Sequence, residues 1–404
     1  MLKRNRSGRV MQLRVRLTPL DLLAFLLTGL LVLAMVGLSG AESWDKTVAM
    51  AKKEGQLVVV LGGGASRRYR PVFKFFENKF AIRTLVSTGS GRRQADRLLA
   101  ERGAGKYKVD IIMVGPTSGN RRLIPNGVLD PITPELVLPE VVDKSLWYKG
   151  KHYYSDPEEK YIFAFAGAAD LTPFSLRFNT DKLPLKEAKQ IKSVWRFLDK
   201  NRFGGQIVSL PPTIAGAGGT YFTIQVHPDL GEKFLWRFFD PELDVKFIRD
   251  YRQVADGVAQ GKYTIAMFVG SAGQDIDRLG DLGLPVANFG EILEGPVKER
   301  PTLQGTASST NIMVVNRRPH PNATRLFINW FLSKEGQTIR HTISSRSPPP
   351  TFRMDVTEMG KVIKAEIRKP GIEYLTFAHD PEIQKKRLEM LKRAEELYRK
   401  IRRK

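Results

Sequence analysis

Glycines, hydroxyls and arginines recur together at a few places in the chain, and their shared chemistry is that of holding a negatively charged group. Gly62-Gly63-Gly64-Ala65-Ser66 runs into Arg67 and Arg68; Thr88, Ser90 and Arg92 fall within residues 87–92; Thr117 and Ser118 fall within 115–119. Farther on, Thr213 precedes Gly216-Ala217-Gly218-Gly219-Thr220. Glycine lets the backbone approach a ligand, and the free N–H groups of a helix start attract negative charge. Arginine suits planar, bidentate pairing with carboxylate, phosphate or phosphonate. Taken singly, Arg67, Arg68, Arg92 and Arg93 suit a solvated surface; gathered on one rim they favour an anionic solute. The candidate ligand-binding residues on this reading are Gly64, Ser66, Arg67, Thr88, Ser90, Arg92, Thr117, Thr213, Gly216, Gly218, Gly219 and Thr220.

Other chemistries find less support. Without cysteine the chain has no disulfide framework, thiolate zinc site, iron–sulfur cluster, cysteine nucleophile or lipid-modified N-terminal cysteine. Its five histidines stand far apart, with no His-x-x-x-His. Gly62 to Ser66 is not a nucleotide loop: it lacks a Gly-Lys-Ser/Thr ending, and Arg67 stands where G-x-G-x-x-G needs its last glycine. Asp275 and Asp277 near a helix start read as caps. No Gly-x-Ser-x-Gly elbow occurs. No catalytic residue, metal or cofactor is expected, although spacing alone does not exclude a hydrolase.

The hydrophobic pattern supplies the elements that position these groups. Residues 43–54 read as a helix ended by Gly55, and Leu57 to Leu61 as a strand apolar on both sides, as a buried parallel sheet requires. A helix carrying Tyr69, Val72, Phe73, Phe76 and Phe80 follows, then a strand at 82–86, a helix at 94–102 and a strand at 109–114. This alternation is a doubly wound α/β domain, whose ligands sit beyond the carboxyl ends of the strands, so loops 62–67, 87–92 and 115–119 should share a rim. A second α/β unit places a strand at 206–210, a helix at 221–226 after the glycine-rich stretch, helices at about 232–239 and 252–260, and a strand at 263–268. Residues 310–315 and 322–332 give one more strand and helix. Past the Pro348-Pro349-Pro350 break, residues 381–404 form an amphipathic helix that docks on its own lobe or touches anionic lipid, docking being favoured.

Composition bounds the setting. Sixty-five Lys and Arg against 42 Asp and Glu leave +23, and 42% hydrophobic content is that of an ordinary globular protein. Residues 1–20 hold six basic and no acidic side chains, and seventeen uncharged residues, Leu22 to Leu38, precede small residues at Ser39 and Ala41. That is the form of a secretory signal cleaved before Glu42, with an uncleaved membrane anchor as the competing reading. Basic residues interleave with aromatics, but at helical spacings such as Phe73, Phe76 and Phe80, which core packing explains. No nucleic-acid partner is expected.

Five segments in order resemble bacterial extracellular solute-binding proteins of ATP-binding-cassette (ABC) importers, specifically the ferric-iron-binding-like group. They are WDKTVAMAKKEGQLVVV at 44–60, LLAERGAGKYKVDIIMVG at 98–115, RFNTDKL at 177–183, VADGVAQGKYTIAMFVGS at 254–271 and RRPHPNATRLFINWFLSKEGQ at 317–337. The resemblance implies a type II periplasmic binding fold: two α/β lobes, each a mixed sheet flanked by helices, joined by chain crossings near 177–180 and 302–311, with a cleft between. It implies capture of a solute and its delivery to a membrane permease by an extracytoplasmic monomer. Residues 1–41 would be the signal or anchor, 42–176 and 302–345 the first lobe, 177–301 the second, and 346–404 a tail on the lobes. Iron-binding members carry adjacent tyrosines soon after the 263–268 strand; here Val269-Gly270-Ser271-Ala272-Gly273-Gln274 stands there, which argues against ferric iron and adds Ser271 to the candidates. Tyr153-Tyr154 reads instead as a half-exposed strand. An exported enzyme on the same frame and a membrane-tethered sensor are the alternatives.

Overall fold

The computed structural model describes residues 44–402 except 271, 306 and 308. The chain divides into a short leading unit, 1–46, and a main unit, 47–404. The expected signal or anchor segment lies outside the described residues. No helix among those described is long and apolar enough to cross a membrane.

In chain order the first sheet receives β1 (Gln56–Gly62), β2 (Arg83–Gly89), β3 (Ile111–Met113), β4 (Leu129–Asp130), β5 (Tyr153–Tyr154) and β6 (Phe163–Ala164). The chain leaves through β7 (Ala168–Asp170). It then builds a second sheet from β8 (Arg177–Asn179), β9 (Ile207–Ser209), β10 (Lys246–Phe247), β11 (Ile265–Ala266) and β12 (Val286–Asn288). It returns through β13 (Thr302–Gln304) to β14 (Asn311–Val315) in the first sheet. The strand orders are β2-β1-β3-β14-β6-β5, with β4 also on β14, and β10-β9-β11-β8-β12. Each sheet has a parallel core joined by an antiparallel strand that comes directly after a passage between sheets: β14 against β3 and β8 against β11. The passages themselves pair antiparallel, Thr302 opposite Asp170 and Gln304 opposite Ala168, so both connections run through one narrow waist.

The hydrophobic pattern accounts for the layers. Val59, Val60 and Leu61 of β1 are buried, as befits a strand covered on both faces. On one side, helix Arg70–Phe80 presents Phe73, Phe76 and Phe80 to Phe327, Trp330 and Phe331 of helix Pro321–Leu332; Phe327 lies 5.0 Å from Phe73, 5.1 Å from Phe76 and 5.3 Å from Phe331. On the other, Ala95 and Leu98 of helix Gly91–Gly103 meet Val60, Ile112 and Met313. The second sheet is centred on Phe268, with Phe174 at 4.6 Å, Phe238 at 4.7 Å and Tyr221 at 5.0 Å.

Several local expectations are corrected. The helix expected from Tyr221 already starts at Ala215, so the glycine-rich stretch lies inside its first turns. The Gly63–Ser66 turn is itself a single helical turn. Tyr153 and Tyr154 do form a strand, but a buried one: Tyr153 packs on Phe352 of the tail at 4.8 Å and the Tyr154 hydroxyl meets Thr133 Oγ1 at 2.7 Å. The tail covers the face expected to be exposed. Residues 344–380, largely without regular elements, run along the waist: Thr351 bridges Ala166, Leu375 bridges Thr302 and Lys369 Nζ donates to Leu293 O. The C-terminal helix Pro381–Arg402 docks on helix Ala215–Val226, burying Leu391, Ala394, Leu397 and Ile401.

Phe327→Ala removes the ring shared by Phe73, Phe76, Trp330 and Phe331 and is expected to destabilise the protein by about 3–5 kcal/mol in urea unfolding. A change under 1 kcal/mol would show that the first lobe does not depend on this cluster.

Candidate functional site

The loops at the carboxyl ends of the parallel strands of the two sheets meet across a seam, which side chains bridge. Arg68, buried in the first lobe just after β1, donates Nη1 to Gly64 O at 2.8 Å, Nε to Ser347 O at 2.8 Å and Nη2 to Gln274 Oε1 at 2.5 Å. Gln274 belongs to helix Ala272–Asp281 of the second lobe. The neighbouring Asp275 pairs with Arg346 of the tail at 2.8 Å. Arg67 comes near enough to the Tyr251 phenol to oppose the rise that burial gives its pKa. Asp275 and Asp277, expected as caps, therefore serve as ion-pair partners.

Beneath this seam lies a buried charge cluster at the waist. Arg177, at the start of β8, is held in bidentate fashion by Asp277, Nε to Oδ1 at 3.0 Å and Nη2 to Oδ2 at 2.8 Å. Gly273 makes room for it, since a Cβ there would lie 2.9 Å from the guanidinium carbon. Burial pushes the Asp170 carboxyl up to about 7, against hydrogen bonds from the Thr172 hydroxyl and N–H and the charge of Arg177. It likewise pushes Glu366, contributed by the tail, up to about 7 despite the opposing charges of Arg177 and Arg68; Asp277 and Glu291 add to the rise. At the second rim Phe268 has φ +55°, a left-handed conformation that a bulky residue adopts only when its surroundings impose it; here the aromatic cage does so.

The predicted residues do not all gather here. Gly64, Ser66 and Arg67 lie at the first rim, where the Ser66 hydroxyl donates to Gly63 O at 2.9 Å. Thr117 is half-buried in the short helical turn Pro116–Ser118. On the second sheet, Thr213 Oγ1 lies 3.5 Å from Arg249 Nη1, and Gly216, Gly219 and Thr220 are in the first turns of helix Ala215–Val226. Gly218 has a packing duty, since a Cβ on it would be 3.3 Å from Leu391 of the C-terminal helix. Thr88, Ser90 and Arg92 are not drawn in: Thr88 is exposed on edge strand β2, Ser90 caps helix Gly91–Gly103 and Arg92 faces Asp96 at 3.8 Å on its surface. Ser271 lies outside the described residues. The rim residues that sequence reasoning missed are Tyr251, Gln274, Arg346 and Glu366, of which only the charged tail residues had a signal, and a weak one. A recess of about 460 Å³ lined by Ser193, Trp195, Asp229, Lys298 and Glu299 includes no rim residue, and its carboxylates are already engaged by Ser193 and Arg300.

No protein-family model and no curated sequence matches the chain. Solved structures do match. The periplasmic binding protein AfuA from Actinobacillus pleuropneumoniae, with fructose-6-phosphate bound, has a TM-score of 0.58 at 15% identity over 85% of this chain and 99% of its own. This chain has the fold of the two-lobed periplasmic binding proteins. FutA (IdiA) of Trichodesmium, in complex with iron and citrate, gives 0.58 at 17% over 85% and 99%. MotA from A. tumefaciens B6, in complex with glucopine, gives 0.55 at 17% over 86% and 99%. In a binding-protein fold of this type the two parallel-strand rims face one another, which is the relation the Arg68–Gln274 contact displays.

A buried carboxyl whose folded pKa is raised holds a proton that the unfolded chain has released, so stability falls as pH rises from about 4.5 to about 7. Glu366→Gln should therefore gain stability relative to wild type between pH 5 and pH 7, with Asp170 keeping part of the slope. Urea unfolding at both pH values checks this; a difference independent of pH would mean that Glu366 is ionised throughout.

Proposed function

We propose that the protein is an extracytoplasmic solute receptor of an ABC importer, a monomer that closes its lobes over a small anionic solute and hands it to a membrane permease without altering it. The observation that carries this reading is the seam itself. Arg67, Arg68 and Arg346 approach from one side, Tyr251 and Gln274 from the other, around an interlobe contact built mainly on hydrogen bonds and one surface ion pair. Such contacts are individually weak, which suits a joint that must open and shut. The lobes are taken as 42–176 with 302–345, and 177–301, with the tail laid across both. The solutes named for the structural neighbours include a phosphate ester and citrate, both oxyanions, in keeping with the cationic rim. Ferric iron is disfavoured because the stretch after β11 reads Val269-Gly270-Ser271-Ala272 and the Tyr153-Tyr154 pair is buried in the first lobe. An exported enzyme remains the second reading, distinguished by turnover.

Titration with fructose-6-phosphate, citrate, inorganic phosphate and ferric citrate is expected to give a saturable one-to-one thermal shift, on the order of 5 °C at a hundredfold excess over Kd, for at least one oxyanion. X-ray scattering of the same sample should show a smaller radius of gyration. Hydrolysis of esters or phosphates would replace the receptor reading with the enzyme.

A further inference from the structure

Among the described residues five arginines are buried: Arg68, Arg177, Arg340, Arg353 and Arg387. Four are well supplied with acceptors. Arg68 has Gly64 O, Ser347 O and Gln274, and Arg177 has both oxygens of Asp277. Arg340 has Gln337 Oε1 at 2.9 Å and Pro349 O at 2.7 Å; Arg353 has both oxygens of Asp355 and Glu140 Oε2. Arg387 differs. It is 1% exposed, and none of its three nitrogens has a hydrogen-bond partner among the described residues.

Its surroundings point in one direction. The guanidinium carbon lies 4.6 Å from the ring centroid of Phe222, on helix Ala215–Val226 of the second lobe, so one face is covered by the ring. A charged side chain whose field reaches it, among the described residues, is another cation, Arg121, from the turn Gly119–Leu123 that continues the third rim loop of the first lobe. Burial lowers Arg387 only to about 10, leaving it charged at neutral pH. His379 Nε2 and Gln384 Oε1, also on the tail, are buried without partners among the described residues, and the His379 imidazole is kept neutral by burial. A buried guanidinium with its N–H edge unused is unfavourable until an acceptor reaches it, and a second cation near it favours an anionic acceptor over a neutral one.

Resting on the receptor reading, we infer that Arg387 and Arg121 form the oxyanion subsite of the cleft, Arg387 giving two parallel N–H donors to a carboxylate or phosphate group of the solute. The group recognised spans both lobes, because Phe222 belongs to one and Arg121 to the other. Arg387 is thus a specificity-determining residue that the C-terminal helix delivers to a cleft formed by the two sheets.

The test compares wild type, Arg387→Met and Arg121→Gln in calorimetric titrations with fructose-6-phosphate, citrate and inorganic phosphate, with fructose as the uncharged control. Wild type should bind at least one oxyanion, and the preferred probe separates a phosphate source from a carboxylate source. Arg387→Met, which keeps apolar contact with Phe222, should weaken that binding roughly ten- to hundredfold while its melting temperature without solute stays equal to wild type or rises. Exposed Arg121→Gln should weaken it several-fold at unchanged melting temperature. Oxyanion binding untouched by both substitutions, or no binding of any of the three oxyanions, overturns the inference. Saturable binding of fructose alone would leave the receptor reading intact while removing the oxyanion subsite; turnover would remove the receptor reading itself.

Discussion

A guanidinium taken out of water must find acceptors, and much of this molecule's irregular structure answers that requirement. The carbonyls that serve Arg68 and Arg340 belong to Ser347 and Pro349, in the proline-broken stretch after helix Lys334–Ile343. Arg353, within the same tail, draws on Asp355 and on Glu140 of the first lobe. These bonds explain how a segment with so little regular structure is held along the waist. Its fixed backbone lets one chain end touch the first lobe at Thr351, the waist at Leu375 and the second lobe at Leu391. Charged groups here act as structural fasteners whose desolvation is offset by hydrogen bonds from several directions.

The two sheets were legible because their strands obey simple rules. The continuous apolar run Leu57 to Leu61 is what a doubly covered parallel strand demands, and Phe73, Phe76 and Phe80 mark a helix face without ambiguity. The rim was only partly legible. Ser90 and Arg92 carry the right chemistry but sit at the start of the helix that follows edge strand β2, where a cap and an i,i+4 contact use them locally. Gly218 looked like room for a ligand and is room for Leu391, because the sequence does not say which neighbour a glycine admits. Tyr251 and Gln274 could not be placed at all, since they reach the seam through long-range folding that periodicity does not encode.

Arg387 shows where pattern reading has more to give. Gln384, Arg387, Leu391, Ala394, Leu397 and Ile401 follow three- and four-residue steps along one face of the C-terminal helix, and all are buried. A cation on an otherwise apolar stripe is the kind of local inconsistency that marks either a structural ion pair or a functional site. The apolar members and the Arg387–Phe222 ring contact account for docking on helix Ala215–Val226, but neither uses the N–H groups of the guanidinium.

The energetics of closing follow from the same contrast. The Arg346–Asp275 pair is partly exposed, with side chains 35% and 28% accessible, and contacts of that kind contribute about 0–1 kcal/mol. The Arg68–Gln274 hydrogen bond, with a charged donor, adds about 1.5–3 kcal/mol. If the lobes open and close as the receptor reading proposes, contacts on this scale would keep the two arrangements close enough in free energy for a ligand that binds the closed form better to shift the balance. An oxyanion held between Arg387 and Arg121 would supply such a difference, because two cations from opposite lobes repel each other until the anion lies between them. On that reading the electrostatic term would oppose closure without solute and favour it with solute, and an apolar seam of equal area could not change sign in this way.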